Sequence, residues 1–162
     1  MTDDRDADWV AAARALPRGS LVIVRARDAA VRAELAAKLS FARLLIADDP
    51  DLAARVGVGL HLPQRRMQEA LHWRARHPDW IITAAAHSLG ALRQTRGLDA
   101  VLLSPVFATT SHQGALPLTP VRAALIAAAS PVPVYALGGV MPRNAALLAP
   151  AFSGIAAISS LL

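Results

Sequence analysis

An α/β fold, with a parallel sheet covered by helices, is predicted for this chain by three observations. Strand-like and helix-like segments alternate with little linker between them. The strand-like runs, such as Leu44-Leu45-Ile46-Ala47 and Ala100-Val101-Leu102-Leu103, are apolar at every position, whereas a sheet with one wet face would alternate. The later runs end in turns rich in glycine or hydroxyls, Thr109-Thr110-Ser111-His112-Gln113-Gly114 and Gly138-Gly139, a way of presenting backbone N–H groups to a phosphate. Seven strands leave a doubly wound sheet or a (β/α) barrel one strand short of eight, and the pattern favours the barrel.

Residues 3–16 read as a helix capped by Thr2, with aspartates at its positive end and Trp9, Val10, Ala13 and Leu16 on one face. Pro17-Arg18-Gly19 turns the chain into a strand at Leu21–Val24, and residues 29–39 form a helix. Arg43–Ala47 is the second strand. Pro50 opens the helix behind it, where a missing N–H costs nothing. Gly59–Leu62 is the third strand, followed by a helix over 64–77. The fourth strand, 80–86, leads to a helix over 88–96, and the fifth, 100–106, leads through the polar loop to a helix over 120–129. A sixth strand at 132–137, a proline-started helix at 142–148 and a seventh strand at 155–158 follow.

The 162 residues make one domain, 1–162, and 54% hydrophobic with 18% charged side chains is a globular profile. No run approaches the roughly 18–20 apolar residues of a membrane span. The acidic start, Thr2-Asp3-Asp4-Arg5-Asp6, is unlike a signal or transit peptide. The chain has no cysteine, which removes thiolate and disulfide chemistry and accords with a cytoplasmic protein. A net charge of +5 and a pI near 11.2 raise the question of nucleic acid. The arginines are dispersed, however, with Arg65, Arg66, Arg74 and Arg76 grouped on one helix, and 4% aromatic residues are too few for a base-stacking platform. A solvated basic face is expected, with no nucleic acid and no membrane as partner. Neither a G-x-G-x-x-G turn after the first strand nor a phosphate-binding lysine loop occurs, so dinucleotide and P-loop readings lose support.

Five segments carry a resemblance. They are Leu44-Leu45-Ile46-Ala47-Asp48-Asp49-Pro50, Gly59-Leu60-His61-Leu62-Pro63-Gln64, Ser104-Pro105-Val106-Phe107 with the Thr109-to-His112 loop, Tyr135-Ala136-Leu137-Gly138-Gly139-Val140, and Ala157-Ile158-Ser159. In order and spacing they resemble the thiamine phosphate synthase/TenI family. The resemblance implies a TIM (β/α) barrel, here lacking the first strand and last helix. It implies an enzyme that condenses hydroxymethylpyrimidine diphosphate with thiazole phosphate, using Mg²⁺ and cations around the departing diphosphate. Phosphorylated thiazole and pyrimidine precursors are the partners implied. The alternative is a catalytically impaired TenI-like phosphate-ligand binder or a thiazole tautomerase-type regulator, although Pro105 stands where tautomerase members carry histidine.

By that resemblance Arg25 and Arg27 hold the diphosphate. Two residues apart on an extended segment, they project to one side, and guanidinium suits bidentate phosphate binding. Asp48 is the implied Mg²⁺ ligand, but Arg66 falls at or beside the second acidic position, where a cation opposes the metal. Thr109, Ser111 and His112 replace a threonine-x-threonine-lysine loop, with Ser111 and His112 on the catalytic side and His112 cationic only when protonated. Gly138 and Gly139 with Ile158 and Ser159 match the thiazole-phosphate site. Ile23, Ala47 and Ala85 replace polar residues of the family. His61 either lines the barrel mouth or is a hydrogen-bonded core residue, His87 follows the fourth strand, and His72 and His77 read as surface.

With helix directly after Met1 and no helix after the last strand, two sheet edges would lie unpaired. A truncated or wrongly started reading frame, an open barrel, or closure by a second copy in a homo-oligomer would each account for that.

Overall fold

The computed structural model describes residues 1–3, 7–109, 116–148 and 150–158. Seven parallel strands lie side by side in chain order: β1 (Leu21–Val24), β2 (Arg43–Ala47), β3 (Gly59–Leu62), β4 (Ile82–Ala86), β5 (Ala100–Leu103), β6 (Val134–Ala136) and β7 (Gly154–Ile155). Helix α1 (Trp9–Arg14) precedes β1, and α2 (Ala29–Lys38), α3 (Pro50–Val56), α4 (Ala70–Arg76), α5 (Pro120–Ala128) and α6 (Pro142–Ala145) lie between strands.

Side-chain alternation along each strand sorts the core into two layers. Val22 and Val24, Leu44 and Ile46, Leu60 and Leu62, and Val101 and Leu103 pack outward against the helices. The intervening Ile23, Leu45, Ala47 and Leu102 pack with Leu137 and Tyr135 in a second cluster. Ile23 on β1 and Leu102 on β5 share that cluster although three strands separate them. Only a sheet curled on itself brings them together. The fold is a TIM-barrel-like α/β structure.

Aspartates placed just after strands start the first helices. Asp28 accepts from Ala30 and Val31 N–H at the start of α2, and Asp49 accepts from Leu52 N–H at the start of α3. Pro50 occupies the first turn of α3, and Gly57, at φ +70°, ends it in the left-handed region.

Several expectations are corrected. The first helix is only Trp9–Arg14 and its cap is Asp8, whose carboxylate accepts from Ala11 N–H at 2.9 Å. Thr2, expected as that cap, instead pairs with β1: its N–H donates to the Ile23 carbonyl at 2.9 Å, and its hydroxyl engages both backbone groups of Arg25. The Met1 nitrogen donates to the Ala157 carbonyl at 3.0 Å. Residues 1–3 therefore bridge the seam between β1 and the chain after β7, where two open edges were expected.

The stretch 64–77 is not one α-helix but a 3₁₀ run, Gln64–Glu69, leading into α4. Its tighter winding buries Met67 and turns Arg65 and Arg66 back over the end of β2. The helix expected over 88–96 is a 3₁₀ turn, Ala91–Gln94, because Gly90 and Gly97 leave too little helix-favouring chain. β4 starts at Ile82 rather than residue 80. The Trp80 ring stacks on His77 at 3.7 Å and its carbonyl accepts from Arg74, while Asp99 takes the Ile82 N–H.

Candidate functional site

The carboxyl ends of the strands surround a cavity of about 540 Å³. Its wall draws Arg25 and Arg27 from beyond β1, Ala47 and Asp48 from the end of β2, and His61 and Arg65 from β3 and the turn after it. Ala85 and His87 come from β4 and its end, Ser104 from beyond β5, Leu137 from beyond β6 and Ile158 from beyond β7. Parallel strands put all their carboxyl ends at one rim, so residues far apart in sequence converge there.

Arg25 and Arg27 flank the buried Ala26 and share the cavity wall. The Thr2 hydroxyl fixes the Arg25 backbone at 2.9 and 3.0 Å, and among the described residues the Arg25 guanidinium makes no ion pair. Arg32, from α2, donates to the Ala26 carbonyl and to Asp49, whose Oδ2 lies 2.8 Å from its Nη2. Burial presses the Asp49 pKa upward, but the Leu52 N–H and the Arg32 guanidinium outweigh it and hold the carboxyl below its ordinary value.

Asp48 sits at φ +57°, a left-handed conformation uncommon outside glycine, with its N–H donated to the His61 carbonyl at 2.9 Å. This geometry turns its side chain toward the 3₁₀ run. Arg65 Nη2 donates to Oδ2 at 2.5 Å and Arg66 Nη1 to Oδ1 at 2.6 Å. Arg66 is in turn gripped by Glu69 through two parallel bonds, Nε to Oε1 at 2.8 Å and Nη2 to Oε2 at 2.7 Å. The Arg66 contact holds the Glu69 pKa below its ordinary value, and Glu69 together with Asp48 raises that of Arg66.

Mg²⁺ demands an octahedron of oxygens. Both carboxylate oxygens of Asp48 accept from guanidinium groups, and among the described residues no three His, Cys, Asp or Glu side chains gather as a metal site would need. The donor set does not fit a divalent ion.

His61 is 5% exposed at the cavity floor, and its Nδ1 lies 2.8 Å from the hydroxyl of Thr83, its register partner on β4. Burial above all, then the positive charges of Arg25 and the N-terminus, lower its pKa to about 4. The ring is neutral at pH 7. Both alternatives left open by the sequence hold together: a satisfied core histidine and a cavity wall. His87 places Nδ1 2.8 Å from the Ser104 carbonyl. A carbonyl only accepts, so Nδ1 carries the proton and Nε2 is left with the lone pair when the ring is neutral.

Gly138 and Gly139 both have positive φ, at 92° and 64°. They lie just past Leu137 and outside the cavity wall, packed against the strand-to-loop segment of β5. A Cβ on Gly138 would meet Pro105 at 2.9 Å, and one on Gly139 would meet the Ala108 carbonyl oxygen at 2.3 Å. Chain-on-chain packing thus accounts for glycine at both positions. Among the described residues neither N–H has a protein acceptor.

Of the residues singled out from sequence, Arg25, Arg27, Asp48 and Ile158 meet at the cavity, and Thr109, Gly138 and Gly139 are outside its wall. Ser111, His112 and Ser159 lie outside the described residues. Arg32, Gln64, Arg65 and Ser104 also line the cavity; Gln64 and Ser104 fall inside the segments that carry the resemblance, but none of the four is given a role from sequence. In sequence Arg65 belongs to a solvated helix face; only the 3₁₀ winding carries it to Asp48. Gln64 Oε1 accepts the His87 N–H at 2.7 Å, and its place directly after an apolar strand is the signal that could have found it.

The family model described as thiamine monophosphate synthase matches residues 3–161. A thiamine-phosphate synthase of Anaeromyxobacter dehalogenans is 34% identical over 167 residues, covering 94% of this chain and 74% of that protein. The thiamine biosynthesis bifunctional protein ThiM/ThiE of Symbiobacterium thermophilum is 34% identical over 140 residues, 83% of this chain and 29% of that protein. For a thiamine-phosphate synthase of Laribacter hongkongensis the figures are 31% over 121 residues, 72% and 57%. The chain thus spans less than two thirds of the length of the latter two. Among solved structures, thiamine phosphate pyrophosphorylase from Pyrococcus furiosus superposes with a TM-score of 0.73 at 23% identity, over 98% of this chain and 83% of that one.

Proposed function

The chain belongs to the thiamine monophosphate synthase family, and on that premise we propose that it condenses hydroxymethylpyrimidine diphosphate with thiazole phosphate, in the cytoplasm, to give thiamine phosphate and pyrophosphate. The observation that carries the proposal is the cavity walled by Arg25, Arg27, Arg32 and Arg65 at the carboxyl ends of the strands.

Arg25 and Arg27 take the diphosphate of the pyrimidine substrate. As the bond from the pyrimidine methylene carbon to the diphosphate oxygen breaks, its electron pair goes to the departing diphosphate. Fixed guanidinium groups stabilise that growing charge without having to reorganise. The thiazole nitrogen then supplies the pair for the new C–N bond. The N–H groups of Gly138 and Gly139, unpaired among the described residues, receive the thiazole phosphate, with Ile158 and Ser159 nearby in the family pattern. Thr109, Ser111 and His112 complete the diphosphate side as hydroxyl and imidazole donors. His61, neutral and held by Thr83, and His87, with its proton on Nδ1, line the space where the pyrimidine ring sits.

The reading is tested by incubating the protein with both phosphorylated precursors, in chelator and in Mg²⁺, and following thiamine phosphate by chromatography. Product formed in step with pyrophosphate release is the expected result. No turnover in either medium, with both precursors bound, would reduce the protein to a ligand binder.

A further inference from the structure

The cation that neutralises Asp48 belongs to the chain itself. Arg66 spends Nε and Nη2 on the Glu69 carboxylate and directs Nη1 at Asp48 Oδ1, so its position is set from both ends. Its side chain is 27% exposed, against 70% for Arg65, which covers the other oxygen of Asp48 from the solvent side. A divalent ion on Asp48 would have to displace a guanidinium that a second carboxylate holds in place, and would then sit beside that positive charge.

The surrounding charges match a polyanion without further help. Arg32 is spent on Asp49, and Arg65 and Arg66 on Asp48 and Glu69, so each of these three carboxylates is covered by a guanidinium. Arg25 adds a further cation on the cavity wall, in no ion pair among the described residues. The balance at that rim is positive, as a phosphate ester requires.

We infer that Arg66 is the resident cation of this site, clamped by Glu69 onto Asp48, and that the cavity binds phosphate and diphosphate esters as bare anions, without a divalent ion. The inference rests on the phosphate-binding reading of the cavity and departs from the metal dependence that the family resemblance implies. Arg66 is a positioning residue. It touches Asp48 rather than the ligand, and its charge keeps Asp48 from repelling the anion.

The test is calorimetric titration of the full chain with inorganic pyrophosphate, in chelator and in Mg²⁺, alongside Mn²⁺ titration followed by electron paramagnetic resonance. The wild-type protein is expected to bind pyrophosphate in chelator with an affinity no weaker than in Mg²⁺, and to leave the free Mn²⁺ signal unchanged. Arg66→Gln is expected to bind pyrophosphate about tenfold more weakly in chelator, to recover part of that loss in Mg²⁺, and to reduce the free Mn²⁺ signal. Wild-type binding that requires Mg²⁺, or Mn²⁺ uptake by the wild type, would overturn the inference and leave the phosphate site standing. Binding in neither medium would overturn both. An Arg66→Gln protein with the wild-type melting profile and wild-type behaviour in both titrations would remove Arg66 from the role. If that variant does not fold, the two wild-type titrations decide.

Discussion

At the scale of single residues, the site is set by side chains whose charge state is fixed by their neighbours. His61 is the clearest case. Its pKa in the fold, about 4, lies below the ordinary 6.5, so between those values the unfolded chain binds a proton that the native chain does not. Stability is therefore full above pH 6.5 and falls as the pH drops toward 4, by roughly 3 kcal/mol in all. Urea unfolding at pH 7 and pH 4.5 should reveal that slope, and His61→Gln should flatten it. An NMR titration placing the His61 ring near its ordinary value would contradict the buried, neutral assignment. Arg25 and Arg27 were legible as a pair because extended-chain geometry sends residues i and i+2 to one side. The Asp48–Arg66 contact was not legible, because 18 positions separate the partners and no local rule links them.

At the scale of elements, glycine separates local requirements from tertiary ones. Gly57 ends α3 at φ +70°, and a Cβ there would meet nothing within 4 Å, so Gly57→Ala carries only the left-handed strain, about 1–2 kcal/mol. Gly139 shares the positive φ, but its Cβ would stand 2.3 Å from the Ala108 carbonyl oxygen. Gly139→Ala must move the loop after β5 and should cost about 3 kcal/mol or more. Thermal melts of the two variants check the order, and equal losses would show that the loop yields freely. The first strands could be read from sequence because apolar runs are local signals, whereas the caps Asp8, Asp28 and Asp49 went unread and the one expected, Thr2, pairs with β1 instead. The 3₁₀ winding of Gln64–Glu69 could not be read, since its arginines and glutamine are ordinary α-helix formers. Its departure accompanies contacts made across the barrel rim.

At the scale of the whole molecule, Met1 and Thr2 bridge β1 and the chain after β7. The Thr2 side chain is buried, at 1% exposure, and its hydroxyl satisfies both backbone groups of Arg25. Thr2→Val keeps the shape and leaves those groups unpaired, at a cost of about 1–3 kcal/mol. For a chain of this size the melting temperature should fall by roughly 2–4 °C per kcal/mol. Because the same hydroxyl fixes Arg25, pyrophosphate affinity should fall too. An unchanged melt with unchanged affinity would separate the seam from the site.

By itself the sequence determined the α/β class, the seven strands in order, and the polar rim at their carboxyl ends, because apolar runs, proline starts and glycine stops act within a few residues. The resemblance of its motifs to the thiamine phosphate synthase/TenI family pointed to Arg25, Arg27, Asp48 and Ile158, which line the cavity at that rim. Tertiary structure alone decided what those side chains meet. The curl of the sheet brings Ile23 against Leu102, the rim brings Arg66 to Asp48, and the seam brings Met1 to Ala157. Each is a contact between distant segments, fixed by the summed packing of two core layers rather than by any stretch of sequence.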